Sequence, residues 1–203
     1  MITHAWEGLD PPYGTIVADP PWSYNAGVKE LRSGGRGGQA EHQYSTMSNT
    51  EIAQLPVAGL AAKEAHLYLW VTVPRLFGER NGSREIGPVE IVEAWGFEFK
   101  TMLTWVKPGG GGMGWYFRGQ TEHVIFATRG GLGIPADKRE PNVFTAARGG
   151  HSEKPAAFGD LVERVSPGPY IELFCRQPRF GWDSWGHGYE LPLLSAEAGD
   201  TDG

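Results

Sequence analysis

The segment Thr15-Ile16-Val17-Ala18-Asp19-Pro20-Pro21-Trp22 runs from a short apolar stretch straight into an acidic turn. Thr15–Ala18 has the length and character of a buried strand. In open α/β sheets ligands bind beyond the carboxyl ends of the strands, and Asp19 falls at such an end. A carboxylate followed by two prolines suits the handling of an exocyclic amine on a nucleobase. The lone pair of that amine is delocalised into the ring, so it is a poor nucleophile. Asp19 and the carbonyl of Pro20 accept its two hydrogens and draw the pair out of conjugation. Proline fixes φ and donates no N–H, so the carbonyl direction is pre-set and no rival donor is expected. Trp22 offers a flat face for the base. A charge-assisted hydrogen bond contributes roughly 1.5–3 kcal/mol and base stacking about 1–3 kcal/mol, adequate sizes for holding a flipped base.

Asp-Pro-Pro is also an ordinary turn signal, and the chain carries a second copy of the pattern, Asp10-Pro11-Pro12-Tyr13. That copy follows a polar stretch and precedes the apolar run. It therefore lies at the amino end of the strand and reads as a surface turn leading into the sheet. Position selects Asp19 over Asp10.

With 203 residues, 40% hydrophobic and 21% charged, the chain is long enough for one α/β domain with a proper core. That domain is expected over residues 1–194, with a frayed acidic tail at 195–203. The single cysteine, Cys175, excludes an internal disulfide and a multi-cysteine zinc site. No charged-then-apolar leader and no run of 18 apolar residues is present, which implies a soluble, cytoplasmic protein. A net charge of −6 argues against a protein that coats polyanions nonspecifically. It leaves room for a base-modifying enzyme with a few cations at one mouth.

Further strands are expected at Ala65–Val73, Phe97–Lys107, Glu122–Thr128, Asn142–Thr145 and Tyr170–Cys175. Helices are expected from Glu51, capped by Ser48 or Thr50; over Pro88–Trp95, with Val89, Val92 and Trp95 on one face; and over Pro155–Val165. Strands alternating with helices imply a doubly wound, mostly parallel sheet. The pair Phe97–Lys107 and Glu122–Thr128 fits an antiparallel arrangement across a glycine-rich loop. Gly109–Gly114 formally matches G-x-G-x-x-G but lacks the strand-turn-helix setting, and reads as a loop between strands. Ser23–Glu41, glycine-rich with Lys29, Arg32 and Arg36, reads either as a solvated insertion or as a basic flap over substrate phosphates. Trp70, Trp95, Trp105 and Trp115 read as packing residues rather than base platforms.

Taken in order, several pieces resemble one family. They are ADPPW at Ala18–Trp22, HQYSTMSNTEI at His42–Ile52, HLYLWVTVP at His66–Pro74 and EAWGF at Glu93–Phe97. They continue with TWVKPGGGGMGWYFRGQTEH at Thr104–His123, HSEKP at His151–Pro155, LVERVSPGPYIELFCR at Leu161–Arg176 and GWDSWG at Gly181–Gly186. The family is the MT-A-seventy-like N6-adenine methyltransferases, typified by the catalytic subunit of the eukaryotic message-methylating complex. The resemblance implies a Rossmann-like fold that binds S-adenosyl-L-methionine (SAM), with permuted motif order: the catalytic strand early, the cofactor strand late. Asp19, Pro20, Pro21 and Trp22 correspond to the catalytic motif, with Asp19 also meeting the cofactor. Lys154 corresponds to a lysine that pairs with the cofactor carboxylate. It sits just ahead of Pro155, where helix N–H groups also favour an anion. Glu172, Phe174 and Arg176 fall where the family holds adenosine, although a Glu172–Arg ion pair would equally satisfy that carboxylate. His187 stands where the family commonly has Asn or Asp; it retains one hydrogen bond for a ribose hydroxyl. His151 reads either as a neighbour of the cofactor's methionine end or as a packing histidine, the latter slightly favoured. Trp22, Tyr24, Lys107, Arg118 and Glu122 are placed at the substrate entrance, Arg118 suiting a phosphate and Glu122 an internal partner.

The resemblance implies methyl transfer to the N6 amine of adenine in nucleic acid, DNA in preference to RNA, without metal. A homodimer or second subunit is expected to supply target recognition. A catalytically inactive nucleic-acid-binding or scaffolding subunit is the alternative from another class, and methylation of cytosine or of a protein side chain is a second.

Overall fold

The computed structural model describes residues 6, 8–23, 46–73, 76–77, 79–80, 83–84, 86–109, 116–150 and 153–186. Its centre is β1 (Tyr13–Ala18), buried along its whole length. A strand buried on both faces needs neighbours on both edges and layers above and below. β1 has them. It pairs in parallel with β2 (Ala61–Val71) on one side and β8 (Tyr170–Leu173) on the other. Beyond β8 lies β9 (Trp182–Trp185), also parallel. Beyond β2 lie β6 (Thr121–Arg129), β5 (Glu98–Val106) and the short β7 (Val143–Thr145). The order across the seven-stranded sheet is β7-β5-β6-β2-β1-β8-β9. β6 runs antiparallel to both β2 and β5 and is the reversed strand of an otherwise parallel sheet. The expected α/β, doubly wound architecture with one antiparallel strand is the one observed. A separate two-stranded ribbon is formed by β3 (Glu79–Arg80) and β4 (Ser83–Arg84).

Strand parity sorts the core into two layers. Ile16, Ala18, Leu67, Leu69, Ile125 and Ala127 pack on α1 (Asn49–Ala53) and α2 (Pro88–Ala94). Val17, Tyr68, Trp70, Val124 and Phe126 face the opposite way and pack on Phe158, Leu161, Val162 and Val165 of α3 (Ala156–Val165). α1 opens with a reciprocal cap: Glu51 N–H donates to Ser48 Oγ, and Ser48 N–H donates to the Glu51 carboxylate.

Several local expectations shift. α2 buries Pro88, Ile91, Val92 and Trp95, an i, i+3, i+4, i+7 stripe, while Val89 is exposed. β5 alternates as expected at Leu103 and Trp105. An irregularity in register between Phe99 and Thr101 leaves Phe99 exposed. β8 ends at Leu173 rather than Cys175, because Phe174 adopts φ 61° and breaks the ladder. β9 has no apolar run to announce it. The expected tail 195–203, most of Ser23–Glu41 and the heart of the 109–118 loop lie outside the described residues.

Gly186, at φ 96°, lets β9 end against Phe174: a Cβ there would stand 2.8 Å from the Phe174 Cα. Gly186→Ala is therefore expected to destabilise the fold by roughly 1–3 kcal/mol, read as a lower urea midpoint with an unchanged slope.

Candidate active site at the carboxyl edge of the sheet

The chain leaves β1 toward β2 and leaves β8 toward β9, in opposite directions, so the crevice between β1 and β8 is the topological switch point of the sheet. A cleft of about 330 Å³ opens there. Val17 and Glu172 are register partners and so share the α3 face, and Asp19 follows β1 directly beyond them. Val17, Asp19, Glu172, Phe174 and Arg176 all line the cleft, together with Trp70, Lys154 and the head of α3. Four residues named from the sequence are thus brought together with Asp19: Lys154, Glu172, Phe174 and Arg176.

The charges form a ladder along this edge. Lys154 Nζ lies 2.8 Å from Asp19 Oδ2 and 3.4 Å from Glu122 Oε2, and 4.9 Å from the Trp70 ring centroid. Lys107 pairs with the other Glu122 oxygen and sits over the Trp105 ring. The acids and lysines alternate: Asp19, Lys154, Glu122, Lys107. Burial presses Lys154 toward neutrality, but Asp19 and Glu122 outweigh it and hold its pKa above the usual lysine range. Burial likewise raises the Glu122 carboxyl, yet Lys154 and then Lys107 bring it below the usual range. Glu122 is the internal partner expected of it. Lys107 has its charge engaged in the same ladder.

Glu172 is the opposite case. Burial, then the neighbouring Asp19 charge, pushes its pKa up to about 6, and the Cys175 thiol, Lys154 and Arg179 offset this only in part. The Cys175 thiol itself is pushed up to about 12, chiefly by burial.

The Asp19–Trp22 turn is pinned through its neighbours. The Pro21 carbonyl accepts the Met47 N–H at 2.8 Å, and Ser23 N–H donates to the Met47 carbonyl at 3.1 Å. Two expectations for the motif need correction. Trp22 is 3% exposed and its indole N–H donates to the Trp70 carbonyl at 3.0 Å. It is a core anchor that fixes the turn, not an open face for a base. A rival donor to the Pro20 carbonyl also exists, since the Trp22 backbone N–H reaches it at 2.8 Å. One lone pair of that oxygen remains. Trp70, Trp95 and Trp105 are buried as expected; Trp70 packs edge-on against Phe158 and Trp105. Asp10 lies at the other end of β1, its N–H donating to the Tyr13 hydroxyl at 3.1 Å. Arg118 is exposed on the loop beyond the ladder. Tyr24, His151, Trp115 and His187 lie outside the described residues. Sequence reading missed Phe158 and Arg179 in the cleft wall. The signal for Arg179 was an i, i+4, i+7 row in α3, taken up below.

Among the described residues no helix is long and apolar enough to cross a membrane, and no cluster of His, Cys, Asp and Glu is disposed to hold a metal ion.

A mixed seven-stranded sheet with the acidic motif beyond its first strand, at the switch point, defines an α/β protein of the Rossmann-like methyltransferase class. The family described as MT-A70 matches residues 13–188, and the chain belongs to it. The chain is 32% identical over 198 residues to the type II methyltransferase M.MunI of Mycoplasma sp, covering 89% of this chain and 78% of that protein. It is 27% identical to the human N(6)-adenine-specific methyltransferase METTL4, covering 86% of this chain but 37% of the relative. It is also 27% identical to the N6-methyladenosine RNA methyltransferase MTA1 of Cryphonectria parasitica, covering 87% and 51%. The chain thus spans about half or less of the length of the last two.

The raised Glu172 pKa carries a stability cost with a definite sign. A carboxyl whose pKa rises on folding, from 4.5 to about 6, binds more protons folded than unfolded between those values, so its contribution is favourable below about pH 4.5 and is lost as pH rises through 6. Glu172→Gln is expected to be more stable than wild type at pH 8, by up to about 2 kcal/mol, with the difference vanishing near pH 4. Urea titrations at the two pH values check this.

Proposed function

We propose that this chain is a SAM-dependent methyltransferase acting on the N6 amine of adenine in nucleic acid, DNA in preference to RNA. The observation that carries this reading is the Asp19 carboxylate at the mouth of the switch-point cleft, paired with Lys154 at 2.8 Å. The cleft's residues fit the cofactor. The Lys154 ammonium, half of an alternating charge ladder, suits its carboxylate. Glu172, a half-buried carboxyl beside apolar Val17 and Phe174, suits the hydroxyl-bearing adenosine half. Arg176 lines the same wall. When bound, SAM supplies a methyl group on positively charged sulfur, which an amine lone pair displaces in line.

The chain's own residues prepare that lone pair. Asp19 accepts one amine hydrogen and the free lone pair of the Pro20 carbonyl accepts the other, drawing the amine lone pair out of conjugation with the ring. Lys154 holds the Asp19 carboxylate fixed in direction. The buried Trp22 holds both prolines in place through the Trp70 carbonyl. The amine proton leaves late, to Asp19 or to water. Most of the rate then comes from proximity and orientation. Arg118 supplies a contact to a substrate phosphate from the exposed loop, and a second copy or another subunit completes target recognition. A cytoplasmic location suits this substrate. DNA is favoured because the short members of the family look bacterial or viral; the similarity to an RNA methyltransferase makes RNA the second reading.

The test is transfer of labelled methyl from SAM to single- and double-stranded DNA and RNA. Label in N6-methyladenine is expected for wild type and for Asp10→Ala. Asp19→Ala should lose at least about 1000-fold, the scale of removing an oriented electrostatic contact at the reacting atom. Binding of SAM without transfer to any polymer would point to a missing subunit. Absence of SAM binding would favour the scaffolding role.

A further inference from the structure

The connection from β8 to β9 forms one wall of the cleft through Phe174, Arg176, Gln177 and Pro178. Arg179 fastens this connection to α3. Its Nε donates to Glu163 Oε1 at 2.8 Å, and its Nη2 donates to Glu163 Oε2 at 2.9 Å and to Asp160 Oδ1 at 2.6 Å. Its Nη1 reaches the Ala156 carbonyl at 3.4 Å. The indole N–H of Trp182, the first residue of β9, donates to the same Glu163 Oε1 at 2.7 Å. Ala156, Asp160 and Glu163 stand at i, i+4 and i+7, one stripe along the helix. Gly159 lies in that stripe too, and a Cβ on it would stand 2.7 Å from Arg179 Nη1 and 2.9 Å from Cζ. The guanidinium therefore lies against the helix where a side chain would otherwise be.

We propose that Arg179 is a positioning residue for the cofactor. Its guanidinium clamps the wall at residues 174–178 to α3, and so fixes the width of the cleft between Glu172 and Phe174 on one side and Lys154, two residues ahead of α3, on the other. A single exposed ion pair would hold little. Here one planar cation is bound by two carboxylates and a carbonyl, with bidentate geometry at Glu163, which fixes direction as well as distance. Both ends of the clamp belong to the cleft: Arg179 itself and the first helical residue, Ala156, line it. A staple serving stability alone would not need to be there. The inference rests on the cleft being the cofactor site.

Calorimetric binding of S-adenosylhomocysteine to the full chain tests it, alongside methyl-transfer kinetics and thermal melting. Glu163→Gln, Arg179→Ala and Gly159→Ala are expected to weaken binding by about tenfold, roughly 1.4 kcal/mol. Arg179→Lys should recover part of the loss, since one ammonium satisfies fewer acceptors. For Glu163→Gln the KM for SAM should rise in step while kcat stays within about twofold, the signature of lost ground-state binding. Should a variant fail to fold, Asp160→Asn, which removes one bond, should still show a smaller loss of about threefold. Wild-type affinity in all variants, even with lowered melting temperatures, would reduce Arg179 to a structural staple. No binding to wild type would instead overturn the cofactor reading and this inference with it.

Discussion

The Lys154 ammonium between Asp19 and Glu122 is the contact around which the edge of the sheet is organised. Asp19 follows β1 and Glu122 belongs to β6, with β2 between them. Two carboxylates half-sheltered at neighbouring strand ends would repel and lose hydration without a cation between them. The cation comes from the head of α3, the helix whose apolar stripe of Phe158, Leu161, Val162 and Val165 covers that face. Lys154 can meet both acids only when β1, β2, β6 and α3 are all in their places. The pair thus couples the Asp19 turn to the packing of a whole layer. Breaking such a partly buried pair by deleting one member costs roughly 3–5 kcal/mol, more than the pair itself contributes, because the surviving charges are left without partners.

The same edge holds groups that do not favour folding. Glu172 is half-buried beside Asp19, and burial together with that charge pushes its pKa up to about 6. Phe174 sits in the left-handed region that non-glycine residues avoid. The next residues form the cleft wall. These unfavourable features cluster at the ends of β1 and β8 and nowhere near the amino edge, where Tyr13 donates to Asp183 at 2.5 Å. A sequence specifies a fold when its local choices agree, and departures concentrate where binding needs them.

How much of this was legible follows from the range of the forces involved. β1 and the buried part of β2 were read from apolar runs, and α3 from the proline at its head and the Ser166-Pro167-Gly168 stop after it. Asp19, Lys154 and Glu172 were placed by motif and strand order. What failed depended on contacts across the sequence. The alternation in β5 could not reveal a register shift at Phe99, set by pairing with β6. Val89 carried the right residue type in the wrong turn of the stripe. Trp22 looked like a platform because a flat ring beside a carboxylate fits a base. Only the Trp70 carbonyl, 48 residues on, turns it into an anchor. β9 has two consecutive polar residues, Asp183 and Ser184, between its tryptophans and no apolar run, and its existence is owed to the free edge of β8.

The two Asp-Pro-Pro-aromatic tetrapeptides show most directly what a motif owes to its surroundings. Both prolines of each fix φ, and each carries a carboxylate and a ring. They are separated by β1, a six-residue strand of about 20 Å. At the amino edge, Asp10 uses its backbone N–H to meet the Tyr13 hydroxyl and leaves its carboxylate in a turn. At the carboxyl edge, Asp19 meets a lysine from another layer, and the aromatic residue of its tetrapeptide is locked under the adjoining strand. Parallel strands with crossovers to both sides open a crevice only where the connections diverge, beyond the carboxyl ends of β1 and β8. Strand polarity, not the tetrapeptide, therefore determines which aspartate can face a ligand.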